Sequence, residues 1–187
     1  PDGTPNPKWR PKLNNAVTCL ALSDKTLFVG GEFGRINKKG RAKLATLDPA
    51  TGKLQAWEIS LDKAPTVLLH LDSTLYVGGT FSKVARSEHK YFIALDVNKG
   101  GSVAWKPQTT GPVNALAVDK GVIFAGGRFK DFAGTPRSSL AAFDPKSRKV
   151  LDWRFPVKGD VNALAVNQDV VVVGGRFKLK NDKKGRN

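Results

Sequence analysis

One cysteine, two histidines and three glutamates are all that 187 residues offer of the side chains most used in metal and nucleophilic chemistry. Cys19 alone cannot close an internal disulfide and reads as a small, buried residue. His70 and His89 fall at different structural positions with no second cysteine near them, so no metal-ligand spacing exists. His70 itself reads as a tolerated substitution in an innermost strand. Glu32, Glu58 and Glu88 are scattered over loops and strand ends, and no serine or cysteine nucleophile has a base beside it. The expectation is a protein that is not an enzyme and carries no metal and no cofactor. The longest apolar run, Val170 to Val173 with its flanks, is far short of the roughly 20 residues of a membrane-spanning helix. No charged-then-apolar leader is visible. No segment keeps a 3.6-residue period, so essentially no helix is expected.

What is present is a repeat. Val29-Gly30-Gly31-Glu32-Phe33 returns as Val77-Gly78-Gly79-Thr80-Phe81, Ala125-Gly126-Gly127-Arg128-Phe129 and Val173-Gly174-Gly175-Arg176-Phe177, spaced by 48 residues each time. Trp9, Trp57, Trp105 and Trp153 keep the same spacing. Two markers in one register, without insertion, define four copies of one structural unit.

Aligning the copies predicts four strands in each. The first is Ala16–Leu22, with counterparts at Thr66–Leu71, Val113–Val118 and Val161–Val166; it is apolar on both faces and so buried on both. The second covers Thr26–Gly31, Thr74–Gly79, Val122–Gly127 and Val170–Gly175, close enough to the first to pair as a hairpin. The third, at Ala42–Leu47, Tyr91–Leu95 and Ser139–Phe143, stops at an aspartate turn. The fourth carries the tryptophan, at Leu54–Glu58, Val103–Lys106 and Val150–Arg154, with Pro11, Pro107 and Pro156 following as suits an edge strand. Four-stranded antiparallel sheets repeated at this period predict an all-β fold, the β-propeller, in which stacked blades supply one another's core.

The blade limits are 13–60, 61–108 and 109–156, flanked by an outer strand in 1–12 and the first two strands of an incomplete blade in 157–187. That pattern is expected of a segment from a longer array of six to eight blades, with a closed four-blade ring as the alternative.

Val113-Asn114-Ala115-Leu116-Ala117-Val118, the stretch Arg137 to Asp144, and Trp105-Lys106-Pro107 resemble the delta-60 repeat, a kelch-like bacterial propeller family. Kelch repeats are similar through Gly-Gly and the late tryptophan, but their usual tyrosine after the glycines is missing. The second copy departs most: His89 stands where Arg41 and Arg137 do, and Val97-Asn98-Lys99-Gly100 replaces the Pro-x-Thr-Gly turn. The resemblance implies a secreted or cell-surface scaffold for protein interactions, and no activity.

Charge supplies the one functional signal. The chain carries +15. The second-to-third-strand loops and the connections between blades emerge on one face and together hold +16, leaving −1 for everything else. Arg35, Lys38, Lys39, Arg41, Lys43, Lys130, Arg137, Lys178, Lys180, Lys183, Lys184 and Arg186 are the candidate binding residues, although Arg41 and Arg137 also read as braces for a turn or a neighbouring blade. The implied partner is an acidic protein or an anionic polymer, whether glycan or nucleic acid. Against nucleic acid stands the shortage of exposed aromatics for base stacking, with Phe132 the candidate in the second-to-third-strand loops beyond the repeated Gly-Gly-x-Phe. Asp48, Asp96 and Asp144 read as turn caps. An enzyme acting on glycans, its site in blades beyond this segment, is the alternative reading.

Overall fold

The computed structural model describes residues 6–155, 157–168 and 170–179, and among these it contains strands and turns but no helix. Among the described residues no helix is therefore long and apolar enough to cross a membrane. The first sheet consists of β1 (Val17–Leu22) and β2 (Leu27–Gly31), then a short hairpin of β3 (Arg35–Ile36) and β4 (Lys39–Gly40), then β5 (Leu44–Leu47). The second repeats this with β6 (Pro65–Leu71), β7 (Thr74–Gly79), β8 (Lys83–Val84), β9 (Ser87–Glu88) and β10 (Phe92–Asp96). The third has β11 (Val113–Asp119), β12 (Val122–Gly127), β13 (Asp131–Phe132), β14 (Thr135–Pro136), β15 (Leu140–Asp144) and β16 (Lys149–Val150). The last is the hairpin of β17 (Val157–Asn167) and β18 (Val170–Leu179). Spatial order in the sheets is β1-β2-β5, β6-β7-β10 and β11-β12-β15-β16, all antiparallel, and successive inner strands β1, β6, β11 and β17 pack side by side.

Burial follows the repeat. Phe28, Leu44, Ile59 and Leu61 of the first sheet meet Leu68, Leu75, Val77, Ile93 and Leu95 of the second in one core. Tyr76 and Phe92 of the second meet Ile123, Phe132 and Phe143 of the third in another. Each large side chain so buried contributes about 1.5–3 kcal/mol, and the sheets are stable because each covers its neighbour. The tryptophans cross the same joints. Trp57 lies edge-on to Phe28 at 6.0 Å and donates from Nε1 to the Asp96 carbonyl of the next sheet at 3.5 Å. Trp105 packs on Phe143, ring centres 5.2 Å apart.

Three features depart from the expected plan. The tryptophan segment is not a full fourth strand: it holds to the sheet only through the Leu47–Leu54 and Leu95–Ser102 bridges and through β16. Beyond them the chain turns so that the tryptophan faces the next sheet. The third strand begins one or two residues late, at Leu44, Phe92 and Leu140, because Lys43, Tyr91 and Ser139 sit at φ of 70°, 69° and 64°. A left-handed residue cannot continue a pleat. Lastly, the segments read as plain second-to-third-strand loops in the first three copies hold tight hairpins, and in the fourth β17 and β18 run on as one ladder from Asn167–Val170 to Val157–Leu179.

Candidate functional site

The basic face is built on those hairpins. Each reverses through two residues with positive φ, Asn37-Lys38 at 49° and 68°, Ala85-Arg86 at 47° and 72°, and Ala133-Gly134 at 50° and 78°. Two such residues make the turn whose twist matches a tight hairpin. Its second position suits glycine, and only the third copy has one. Lys38 and Arg86 hold long cations there instead, a backbone choice that costs of order 1–3 kcal/mol each. The hairpins are anchored below by Ile36, Val84 and Phe132, all buried, which bridge to Leu13, Leu61 and Thr109 of the incoming connection.

The residue after each bridge caps the hairpin, with a different chemistry in each copy. Asn14 Oδ1 accepts from the Gly34 and Arg35 amides at 2.9 and 2.8 Å. Asp62 Oδ1 accepts from Ser82 and Lys83 at 2.9 and 3.0 Å, and Oδ2 from the Ser82 hydroxyl at 2.6 Å. Thr110 Oγ1 accepts from Lys130 and Asp131 at 2.8 and 3.0 Å. Partial burial pulls the Asp62 pKa upward, but these bonds outweigh it and hold the carboxyl at about 2. Hairpin and connection are thus bonded to each other in all three copies, as the strand order requires.

Of the candidate cations, Arg35, Lys38, Lys39, Lys130 and Lys178 are exposed on this face. Lys43 is already paired, 3.0 Å from Glu32 Oε2 and 2.8 Å from the Glu32 carbonyl. Arg41 and Arg137 leave the binding set. Their side chains are 11% and 6% exposed. Arg41 donates to the Gly40 carbonyl at 2.7 Å and the Gln55 carbonyl at 3.4 Å, and pairs with Glu58 at 3.0 Å. Arg137 does the same with the Pro136 and Leu151 carbonyls at 2.9 and 2.8 Å, and approaches Asp152 at 3.4 Å. Each guanidinium ties the hairpin to the departing tryptophan segment, where its planar fork of donors matches separated carbonyls. Lys180, Lys183, Lys184 and Arg186 lie outside the described residues.

In the second copy His89 occupies the arginine's place. The imidazole is too short to serve both carbonyls, and a cleft of about 470 Å³ opens there, lined by Ser87, Glu88, His89, Lys90, Lys106 and Thr109 among others. Burial and then the nearby Lys106 charge hold the His89 pKa below its usual value. Lys90 and Lys106 were absent from the sequence-derived set, as were the exposed Lys83, Arg86 and Lys158. The histidine in an arginine column was the signal that would have found the cleft. Lys158 stands directly opposite Lys178 in the β17–β18 ladder, two like charges held side by side.

The remaining titratable groups have structural roles. Asp48 Oδ1 accepts from the Thr51 and Ala50 amides at 2.7 and 3.0 Å, and Asp96 and Asp144 cap their turns in the same way. Bonds from the Thr51, Lys99 and Lys146 amides lead in holding these carboxyls below their usual range. At the opposite end, His70 stacks on Phe28 at 5.3 Å beside a second cavity of about 500 Å³. Half-buried Cys19 points its thiol at the Pro65 carbonyl, 3.5 Å away, and burial pushes its pKa up to about 11. Among the described residues no group of three or more His, Cys, Asp or Glu converges as a metal site. Phe132 is fully buried, so it offers no ring to a base.

The fold is shared with solved proteins. The computationally designed Ika4 protein matches with a TM-score of 0.56 and 19% identity, over 89% of this chain and 91% of its own. The computationally designed Ika8 protein matches at 0.54 and 18%, over 87% of this chain and 43% of its own. The Neurospora crassa Pan2 WD40 domain matches at 0.49 and 14%, over 79% of this chain and 42% of its own. The chain therefore spans most of the first and less than half of the other two. No family model and no curated protein matches the chain. At these identities the likeness to the two designed proteins shows the fold alone: an all-β, propeller-like stack of antiparallel sheets.

Proposed function

We propose that this chain is a non-catalytic scaffold, a propeller segment of the delta-60 type, that presents its hairpin face to a sulfated or phosphorylated polymer or an acidic protein surface. The observation that carries the reading is the placing of Lys38 and Arg86 at strained hairpin tips where glycine would relax the backbone. Strain kept at an exposed cation is accounted for if the cation is used. Arg35, Lys39, Lys83 and Lys130 stand on the same capped hairpins, so little backbone needs ordering on contact. The cleft beside His89, with Lys90 and Lys106 at its rim, receives one anionic group. Burial of Phe132 favours a partner read by charge over one read by base stacking.

The test is heparin and mixed-sequence RNA binding followed by fluorescence anisotropy between about 50 and 200 mM salt, where charge-driven affinity drops by orders of magnitude. A steep salt slope, made shallower in the Lys38→Ala, Arg86→Ala, Lys130→Ala triple variant, supports the reading. Absent binding, or binding indifferent to salt, overturns it.

A further inference from the structure

Three joints between successive sheets are made alike. At each, pairing of the inner strand skips one residue (Thr18, Thr66 or Asn114), and this bulged residue reaches the next sheet. Thr18 Oγ1 donates to the Pro65 carbonyl at 2.6 Å, Thr66 Oγ1 to that of Val113 at 3.1 Å, and Asn114 Nδ2 to that of Val161 at 3.4 Å. Beside each donor, the first glycine of the Gly-Gly pair leaves a hollow. A Cβ on Gly30 would stand 2.5 Å from Pro65 Cγ and 3.4 Å from Leu68 Cδ1. On Gly126 it would stand 2.5 Å from Val161 Cγ1 and 3.1 Å from Leu164 Cδ1. A joint is therefore a socket, made of bulge donor and glycine, that receives a plug made of the residue before the next bulge, joined at the first and third joints by a leucine three positions on; at Gly78 the Cβ would meet Val113 alone of the next sheet.

One socket and one plug are left over. Asn162 is the fourth bulge and Gly174 the fourth glycine; a Cβ there would meet only Ala163 Cβ, at 3.4 Å. Val172 beside it is 59% exposed. At the other end, Val17 and Leu20 hold the plug positions and are 44% and 56% exposed. Exposed apolar surface of this extent along inner strands marks an interaction site. Among the described residues of one copy, then, nothing fills this socket.

We propose that a second copy of the chain does so, head to tail, with Val17 and Leu20 of one copy seated against Asn162 and Gly174 of the other. The repeat selects this occupant. The two free surfaces carry the residue plan of the two sides of three joints already formed: donor against carbonyl, and glycine against the residue that precedes the next bulge, Pro65, Val113 or Val161. A contact between different surfaces of identical chains is heterologous, so two copies that close make two joints and copies that do not close extend. The joint runs along the inner strands, away from the hairpin tips, so it stands or falls independently of polyanion binding.

Sedimentation velocity over a concentration series tests this, in salt sufficient to screen the +15 charge on each chain. The intact chain is expected to associate. Gly174→Val fills the socket and Leu20→Lys charges the plug; each alone is expected to sediment as a monomer and to melt where the wild-type chain melts at a dilution that keeps it monomeric, since both sites are open in the single copy. Mixing the two variants leaves one intact plug and one intact socket, and is expected to restore a dimer. A wild-type chain that is monomeric at every concentration overturns the proposal. So does association that survives both variants, or a mixture that stays monomeric.

Discussion

Val161 of the last sheet occupies the space that a side chain on Gly126 would need, its Cγ1 lying 2.5 Å from where that Cβ would be. The two glycines of each pair therefore answer to different neighbours. The first is kept clear for the next sheet. The second, at Gly31 and Gly127, faces the backbone carbonyls of Ala16 and Pro112 in its own inner strand. Gly126→Val is expected to cost about 1–3 kcal/mol by overpacking, read as a lower urea midpoint. Gly127→Ala should cost at least as much, because a carbonyl cannot turn aside as a methyl can. An unchanged midpoint for either variant would remove the close-packing account of that glycine.

Thr66 joins the second and third sheets through its hydroxyl, which donates to the Val113 carbonyl at 3.1 Å and lies 3.3 Å from that of Gly78. Thr66→Val keeps the shape and deletes the donor, stranding a carbonyl at a partly buried joint. The expected loss is about 1 kcal/mol in chemical denaturation. Thr66→Ser, which keeps the hydroxyl, should recover most of it; a serine variant as weak as the valine one would mean that the methyl group matters and the hydrogen bond does not.

The sequence made the architecture legible because packing here is periodic: Gly-Gly and Trp recur where sheets must touch, and alternation of small and large residues marks the inner strands. It was less informative where backbone geometry does not depend on residue type. Lys43, Tyr91 and Ser139 share a left-handed backbone and nothing else. Asn14, Asp62 and Thr110 share one capping role through an amide, a carboxylate and a hydroxyl. The tryptophan segments look like strands by composition, yet their bulk is spent on the next sheet. Counting charges named the loop cations but could not see that Arg41 and Arg137 turn inward to carbonyls, nor that a histidine in their column opens a cleft.

Asp62 caps its hairpin with a group that ionises, where Asn14 and Thr110 cap the other two with groups that do not. Its pKa in the fold is about 2 against an ordinary value of 3.8, so the stability it lends is present above the ordinary value. That stability is lost as pH falls toward 2. Asp62→Asn keeps the Oδ1 acceptor for the Ser82 and Lys83 amides and removes the titration. Compared by urea denaturation at pH 5 and at pH 2.5, the wild-type chain should lose more stability than the asparagine variant. Equal losses would show that the carboxylate does not stabilise the hairpin through its charge.

His89→Arg should repair the brace that the second copy lacks. In the first and third copies the guanidinium reaches the carbonyls of Gln55 and Leu151, whose counterpart is Val103. An arginine at 89 would tie the β8–β9 hairpin to the Val103 segment and fill the cleft, with an expected gain of about 1 kcal/mol. The pH dependence should change with it. Burial and Lys106 favour the neutral imidazole in the fold, so the unfolded chain takes up a proton first as pH falls through 6.5. The wild-type protein accordingly loses stability between pH 7 and 5. Half-buried His70, shifted the same way by burial, contributes to that loss in both proteins, and the His89 share is the difference between them. Thermal melting across this range should give a flatter profile for the arginine variant, and phosphate or sulfate should raise its melting point less. A variant that melts lower than wild type, or that responds to these anions as wild type does, would show that the cleft is not the space of a missing brace.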